Sequence, residues 1–212
     1  MGEALSRPQR VFSISGPRGA GRTALYQELE SMLPERYPMH AFAFLGNPFG
    51  TLEHPQYWGA RRRGLLSSSR LFESWAQLNE FVGRRLRPAL EAGKTVFTDG
   101  FGLDAYLHAI AHCSTDDECE ETSSLHHHFV TARLKTQSIS PPIYLLAFDE
   151  AEVIAQRTHR SVDETTILLE HETDGIRRYF DGTGQKPPHF LVGRSTKGRR
   201  EEALKILKQY LL

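Results

Sequence analysis

The sequence predicts an α/β protein of three layers, a five-stranded parallel sheet with helices on both faces. Three observations predict it. Five short apolar runs recur along the chain and alternate with helical patterns, the signature of strands buried on both sides. The first run leads straight into a glycine-rich stretch and then a helix. Two other runs end in an aspartate, Asp99 and Asp149, at the strand ends where sheets of this kind gather their functional groups.

The elements follow in order. Val11 to Ser15 is the first strand. The first helix is expected from Thr23 to Leu33, stopping before Pro34. His40 to Leu45 reads as a second buried strand, followed by the loop-like Gly46-Asn47-Pro48-Phe49-Gly50-Thr51. Leu71, Trp75, Leu78, Val82 and Leu86 are spaced mostly by three or four, which predicts a long helix from Arg70 to Ala92, bent by Pro88. Thr95 to Thr98 is the third strand, and Leu103 to Cys113 is helical. Ser114 to Thr122 is acidic and polar and reads as a loop, before a helix from Leu125 to Thr136. Ile143 to Phe148 is the fourth strand. Helices are expected over Glu150 to Thr158 and Thr166 to Phe180, with a polar stretch between them. His189 to Val192 is the fifth strand and Glu201 to Leu211 the last helix.

Composition narrows the class. At 212 residues, with no internal repeat or credible linker, the chain is expected to be one domain, residues 1–212, with a single sizeable core. The net charge is zero, so nucleic acid and anionic membrane are not expected partners. The apolar run Ile143 to Phe148 is far too short to span a bilayer, and the polar start of the chain does not resemble a signal peptide. Cys113 and Cys119 read as reduced thiols. A cytoplasmic enzyme or binding protein is the expectation.

The chemistry centres on Gly16-Pro17-Arg18-Gly19-Ala20-Gly21-Arg22-Thr23. This fits the phosphate-binding pattern G-x-x-x-x-G-[basic]-[ST], with Arg22 where that pattern has Lys. Glycines let the backbone approach an anion, and N–H groups at the start of the following helix point at it. The plain structural alternative is a tight strand-to-helix turn. Asp99 suits a carboxylate facing a magnesium–phosphate group, with a helix N-cap as its alternative. For Asp149 the cap is the favoured reading. His126-His127-His128 cannot share one helix face, so a metal site is not expected there. Arg61, Arg62 and Arg63 read as a solvated face, and Trp75 and Phe72 as core. Arg194 and Lys197 fall after the fifth strand and carry little weight.

Three stretches in this order resemble the thymidylate kinase family of P-loop nucleoside monophosphate kinases. They are the loop Gly16 to Thr23, the segment Arg87-Pro88-Ala89-Leu90-Glu91-Ala92-Gly93 running to Asp99, and Pro141 to Asp149 followed by Val153-Ile154-Ala155-Gln156-Arg157. Asn47 to Thr51 is similar to a family loop, and Ala105-Tyr106 stands where the family has a tyrosine beside its base pocket. The resemblance implies a P-loop NTPase fold and ATP-dependent transfer to a nucleoside monophosphate, with dTMP to dTDP foremost. It implies ATP and Mg²⁺ as cofactors, a nucleotide substrate, and a homodimer through the long helix.

Backbone at Gly16, Arg18, Gly19, Ala20, Gly21, Arg22 and Thr23 would hold the donor phosphates, and Thr23 and Asp99 the Mg²⁺. Arg22, Asp99, Arg157 and Arg160 would be catalytic, the last two from a lid over residues 157–165. Asn47, Phe72 and Tyr106 would serve the substrate.

The chain departs from the family at several points. Arg22 replaces the lysine, Arg18 an acidic residue, and Gly46 and Gly100 two arginines; no arginine stands near Gln77 to Asn79. Arg binds phosphate as a planar fork and Lys as a point charge, so Arg22 favours binding over turnover. Two alternatives therefore stay open: a noncatalytic nucleotide-binding module, and a kinase for a deoxynucleoside or another acceptor.

Overall fold

The computed structural model describes residues 10–17, 19–48, 75–110, 115–136, 139–192 and 195–211. Arg18, Arg61 to Arg63, Phe72, Cys113 and Arg194 lie outside the described residues. The elements are β1 (Val11–Ser15), α1 (Arg22–Arg36), β2 (Phe42–Phe44), a helix over residues 75–91 (α2), β3 (Thr95–Asp99), α3 (Gly102–Ile110), α4 (Asp116–Thr136), β4 (Ile143–Phe148), α5 (Ala151–Thr158), α6 (Val162–Thr183), β5 (His189–Val192) and α7 (Thr196–Leu211).

All five strands are parallel, in the order β2-β3-β1-β4-β5. The register pairs Ile14 with Asp99 and Ser15 with Leu146, so the carboxyl ends of the three central strands open at one edge. Strand alternation splits the core in two. Phe12 and Ile14 face α1 and α7, packing with Leu25, Leu29, Leu33 and Leu207. Val11 faces the other side, where Leu86, Leu103, Leu146 and Ile176 form the second cluster. Full burial of each such leucine contributes about 2 kcal/mol before chain entropy is counted. On that second side Gly175 lets α6 lie close to α3, for a Cβ there would fall 2.2 Å from Ile110 Cδ1.

Several boundaries differ from the sequence expectation. Helix α1 runs past Pro34 to Arg36. Pro34 and Glu30 are both exposed, so water can take the carbonyl that the proline leaves without a donor. The acidic stretch from Ser114 is not a loop throughout: Asp116, Asp117 and Glu118 form the first turn of α4, where carboxylates favour the positive helix end. Within α2, Val82–Leu86 is π-helical and hands over to Arg87–Glu91, with Pro88 in the first turn. The wider turn places the ring where no i−4 donor is required. β2 is half-buried, not fully buried. Trp75 is buried, as expected of a core residue.

Candidate phosphate-binding site

The loop after β1 is shaped by close packing. Gly16 has φ +136°, and a Cβ on it would sit 2.2 Å from the Ala147 carbonyl oxygen of β4. Only glycine can turn the chain there. Ala20 N–H donates to the Pro17 carbonyl (3.1 Å), which closes the loop on itself. That donor is therefore engaged within the loop, not aimed outward with the rest as the sequence suggested. Helix α1 starts from Gly21, in the left-handed region, with no side-chain cap and no acidic residue in its first turn. Its first N–H groups and the positive end of its dipole therefore face the edge of the sheet, an arrangement suited to an anion.

Three charged groupings surround the loop. In the first, the Thr23 hydroxyl donates to Asp99 Oδ2 at 2.8 Å. This joins the loop to the end of β3, and Asp99 is largely buried. Gly46 tightens the same corner: its carbonyl accepts from Asp99 N–H (3.1 Å) and its N–H donates to the Tyr26 hydroxyl (2.7 Å). Burial pushes the Tyr26 phenol up to about 12, so it stays neutral. Asn47 follows directly and is half-buried.

The second grouping holds Arg22. Its guanidinium pairs with Asp104 Oδ1. Asp104 Oδ2 accepts from the Ser15 hydroxyl (2.6 Å) and Phe101 N–H (2.9 Å). Gly100 leaves room for this carboxylate, which lies 3.2 Å from where its Cβ would be. Glu172 of α6 belongs to the same field. Burial pushes its carboxyl up to about 7, Arg22 and Arg160 oppose the rise and Asp104 adds to it. Glu172 Oε2 accepts no hydrogen bond among the described residues.

The third grouping lies on the other flank. Arg157 Nη1 donates to the Gly19 carbonyl and to Asp149 Oδ2, both at 2.9 Å. Arg199 Nη1 donates to the same Asp149 oxygen at 2.9 Å and to the Phe148 carbonyl at 3.2 Å. Asp149 is thus the shared acceptor of two arginines, and the N-cap of α5 is Glu150; the cap reading of Asp149 is corrected.

The structure brings Gly16, Gly19, Ala20, Gly21, Arg22, Thr23, Asp99 and Arg157 together at one end of the sheet. Arg160 lies exposed in the turn between α5 and α6, after His159 at φ 54°. Tyr106 is not part of the group. It points into the core, its hydroxyl bonded to Ser123 (2.9 Å) and its ring against His126 and Tyr179. There it lines a cavity of about 260 Å³ with Ser123, His126, Arg178 and Tyr179. His126 takes a bond from Trp75 Nε1 (3.2 Å), and burial pushes its ring down to about 3.

Sequence reasoning missed Ser15, Asp104, Glu172 and Arg199. Ser15 and Asp104 had a signal: a hydroxyl closing a buried strand, and a carboxylate five residues beyond Asp99 on the next helix. Arg199 had none: it falls before the last helix expected at Glu201, whereas α7 begins at Thr196 and carries Arg199 in its first turn.

A parallel sheet in this order, with a glycine loop between its first strand and first helix, defines a P-loop NTPase fold. No family model matches the chain. The thymidylate kinase of Halorhodospira halophila (strain DSM 244 / SL1) is 33% identical over 105 residues, covering 46% of this chain and 46% of that protein. The chain thus spans about half the length of the curated relative it matches. The crystal structure of thymidylate kinase from Ehrlichia chaffeensis shares the fold with a TM-score of 0.62 at 16% identity, over 94% of this chain and 99% of that one. The chain is thus similar to thymidylate kinases in sequence over part of its length and in fold over nearly all of it. Among the described residues no helix is long and apolar enough to cross a membrane.

Proposed function

We propose that the chain binds ATP with Mg²⁺ at the loop from Gly16 to Thr23 and transfers a phosphoryl group to a nucleoside monophosphate, dTMP foremost. The observation that carries this reading is the Thr23–Asp99 hydrogen bond at 2.8 Å, which sets a hydroxyl and a carboxylate together at the mouth of a glycine loop. That pair suits Mg²⁺, a hard cation with oxygen ligands, and the uncapped start of α1 suits a polyphosphate. ATP supplies the transferable phosphoryl group, and Mg²⁺ neutralises its charge.

The chain's own residues do the positioning. Backbone N–H groups of Gly19, Gly21, Arg22 and Thr23 orient the phosphates. Thr23 and Asp99 hold the metal and its waters. Arg157 at the end of α5 and Arg160 in the turn after it bring positive charge, and residues 157–165 act as the lid. The similarity to a thymidylate kinase across somewhat under half of the sequence supports dTMP as acceptor. The same reading takes the chain as a single domain that works in cytoplasmic nucleotide biosynthesis, paired as a homodimer through α2.

A second reading, noncatalytic nucleotide binding, is favoured by the Arg22–Asp104 ion pair. It turns the one basic side chain of the loop's end toward α3, and a small misplacement of such a group can cost about a hundredfold in rate. One assay separates the two. The protein is incubated with ATP, Mg²⁺ and a panel of nucleosides and monophosphates, and ADP is measured. Turnover with dTMP supports the first reading. Turnover with a nucleoside alone moves the acceptor to that class. ATP binding without ADP from any acceptor rejects transfer and leaves the second.

A further inference from the structure

From the two arginines on Asp149 we infer that Arg199 is a positioning residue for polyphosphate binding: it keeps Asp149 paired so that Arg157 can leave that carboxylate for the bound phosphates. The inference rests on the nucleotide-binding reading above and concerns residues to which the family resemblance assigns nothing, Asp149 and Arg199. Asp149 Oδ2 accepts from Arg157 Nη1 and from Arg199 Nη1, each at 2.9 Å. The two arginines differ in setting. The Arg199 side chain is 0% exposed and that of Asp149 is 1% exposed, whereas Arg157 is 40% exposed. Both guanidinium groups adjoin the loop at one point, for a Cβ on Gly21 would lie 3.1 Å from Arg199 Nη2 and 3.7 Å from Arg157 Nη1.

A buried carboxylate that loses its only cation is strongly disfavoured. Were Arg157 the sole partner of Asp149, an anion at the loop would have to compete with that penalty. Arg199 removes it. It is anchored by a second acceptor, the Phe148 carbonyl, and stays on Asp149 whichever way Arg157 turns. Arg157 also contacts the Gly19 carbonyl, so its guanidinium already lies against the loop it would serve. The resting place of the exposed arginine is therefore shared, and its release leaves no bare charge.

The test is a titration of the full chain with a fluorescent ATP analogue in Mg²⁺, with circular dichroism reporting the fold. Arg157→Gln is expected to weaken binding about tenfold, the worth of one charge-assisted hydrogen bond. Arg199→Met should weaken it to a similar extent, because Arg157 becomes held by Asp149. Asp149→Asn added to Arg199→Met should restore binding, because the holding charge is gone. Wild-type affinity in Arg199→Met overturns the inference. So does a loss that Asp149→Asn fails to restore, which marks a purely structural arginine. If Arg199→Met does not fold, Arg199→Lys carries the test: retained charge predicts wild-type binding, and a loss equal to that of Arg157→Gln overturns the proposal. A wild-type protein that binds no nucleotide rejects the nucleotide reading itself, and the inference falls with it. Binding by wild type with equal binding by all variants rejects the inference alone.

Discussion

Arg22, the last basic position of the glycine loop, is ion-paired to Asp104 on α3. The carboxylate that holds it is itself held, by the Ser15 hydroxyl at 2.6 Å and Phe101 N–H at 2.9 Å. Both partners are mostly buried, with side chains 20% and 11% exposed, so the pair is only weakly screened by solvent. The basic side chain at the end of the loop thus has a preformed anionic partner inside the fold.

Asp104→Asn tests what that partner does. The amide still accepts from Phe101 N–H, but it no longer holds Arg22 as an ion. Stability is expected to fall by about 1–3 kcal/mol, measured by urea unfolding. Affinity for ATP is expected to rise roughly fivefold as Arg22 turns to the loop. Unchanged affinity would mean that Arg22 does not reach the phosphates even when released.

Thr23→Ala removes the hydroxyl bonded to Asp99. Thr23 is exposed, so the stability cost should be small, about 1 kcal/mol. The larger effect is expected on metal dependence: ATP binding by the variant should respond little to EDTA, while wild-type binding should weaken. Calorimetric titration with and without Mg²⁺ decides this.

Gly16→Ala probes the loop's geometry. The added Cβ meets the Ala147 carbonyl at 2.2 Å, and φ +136° is strained for any side chain. The contact is with backbone, which cannot rotate away. A loss of about 3 kcal/mol is expected in thermal or chemical unfolding. Gly182→Ala is the control, since nothing lies within 4 Å of its Cβ position.

Glu172 gives a pH signature. Its carboxyl is pushed up to about 7 by burial, above its unfolded value of 4.5. The raised value means that ionisation opposes folding. The stability this group permits is full below pH 4.5, declines as pH rises, and is lost once pH passes about 7. Glu172→Gln should therefore match wild type near pH 4 and exceed it at pH 8 by about 3 kcal/mol. Urea midpoints across that range test it; a difference independent of pH would place the effect in packing.

Most of the fold was legible because local patterns carry it. The strands β1, β3 and β4 are short apolar runs that need both faces covered, and the glycine loop announces its own turn; β5 shows the same kind of run but lies at the sheet edge with Phe190 49% exposed. Legibility fell where one composition suits two structures. Acidic residues from Asp116 to Glu118 suit a loop and also suit the first turn of α4. Pro34 usually ends a helix, yet an exposed last turn tolerates it.

The sequence by itself determined the strands of a parallel sheet, the loop from Gly16 to Thr23 after the first of them and Asp99 at the end of the third, because periodicity and glycine chemistry act over a few residues; the strand order that sets Thr23 beside Asp99 came from the packed sheet. The tertiary structure alone decided that Arg22 meets Asp104, 82 residues further on, and that Asp149 serves Arg157 and Arg199 instead of capping a helix. It also turned Tyr106 into the core. The physical reason is that a charge takes its partner from whatever the packed elements bring within a few ångströms, and no local pattern records that choice.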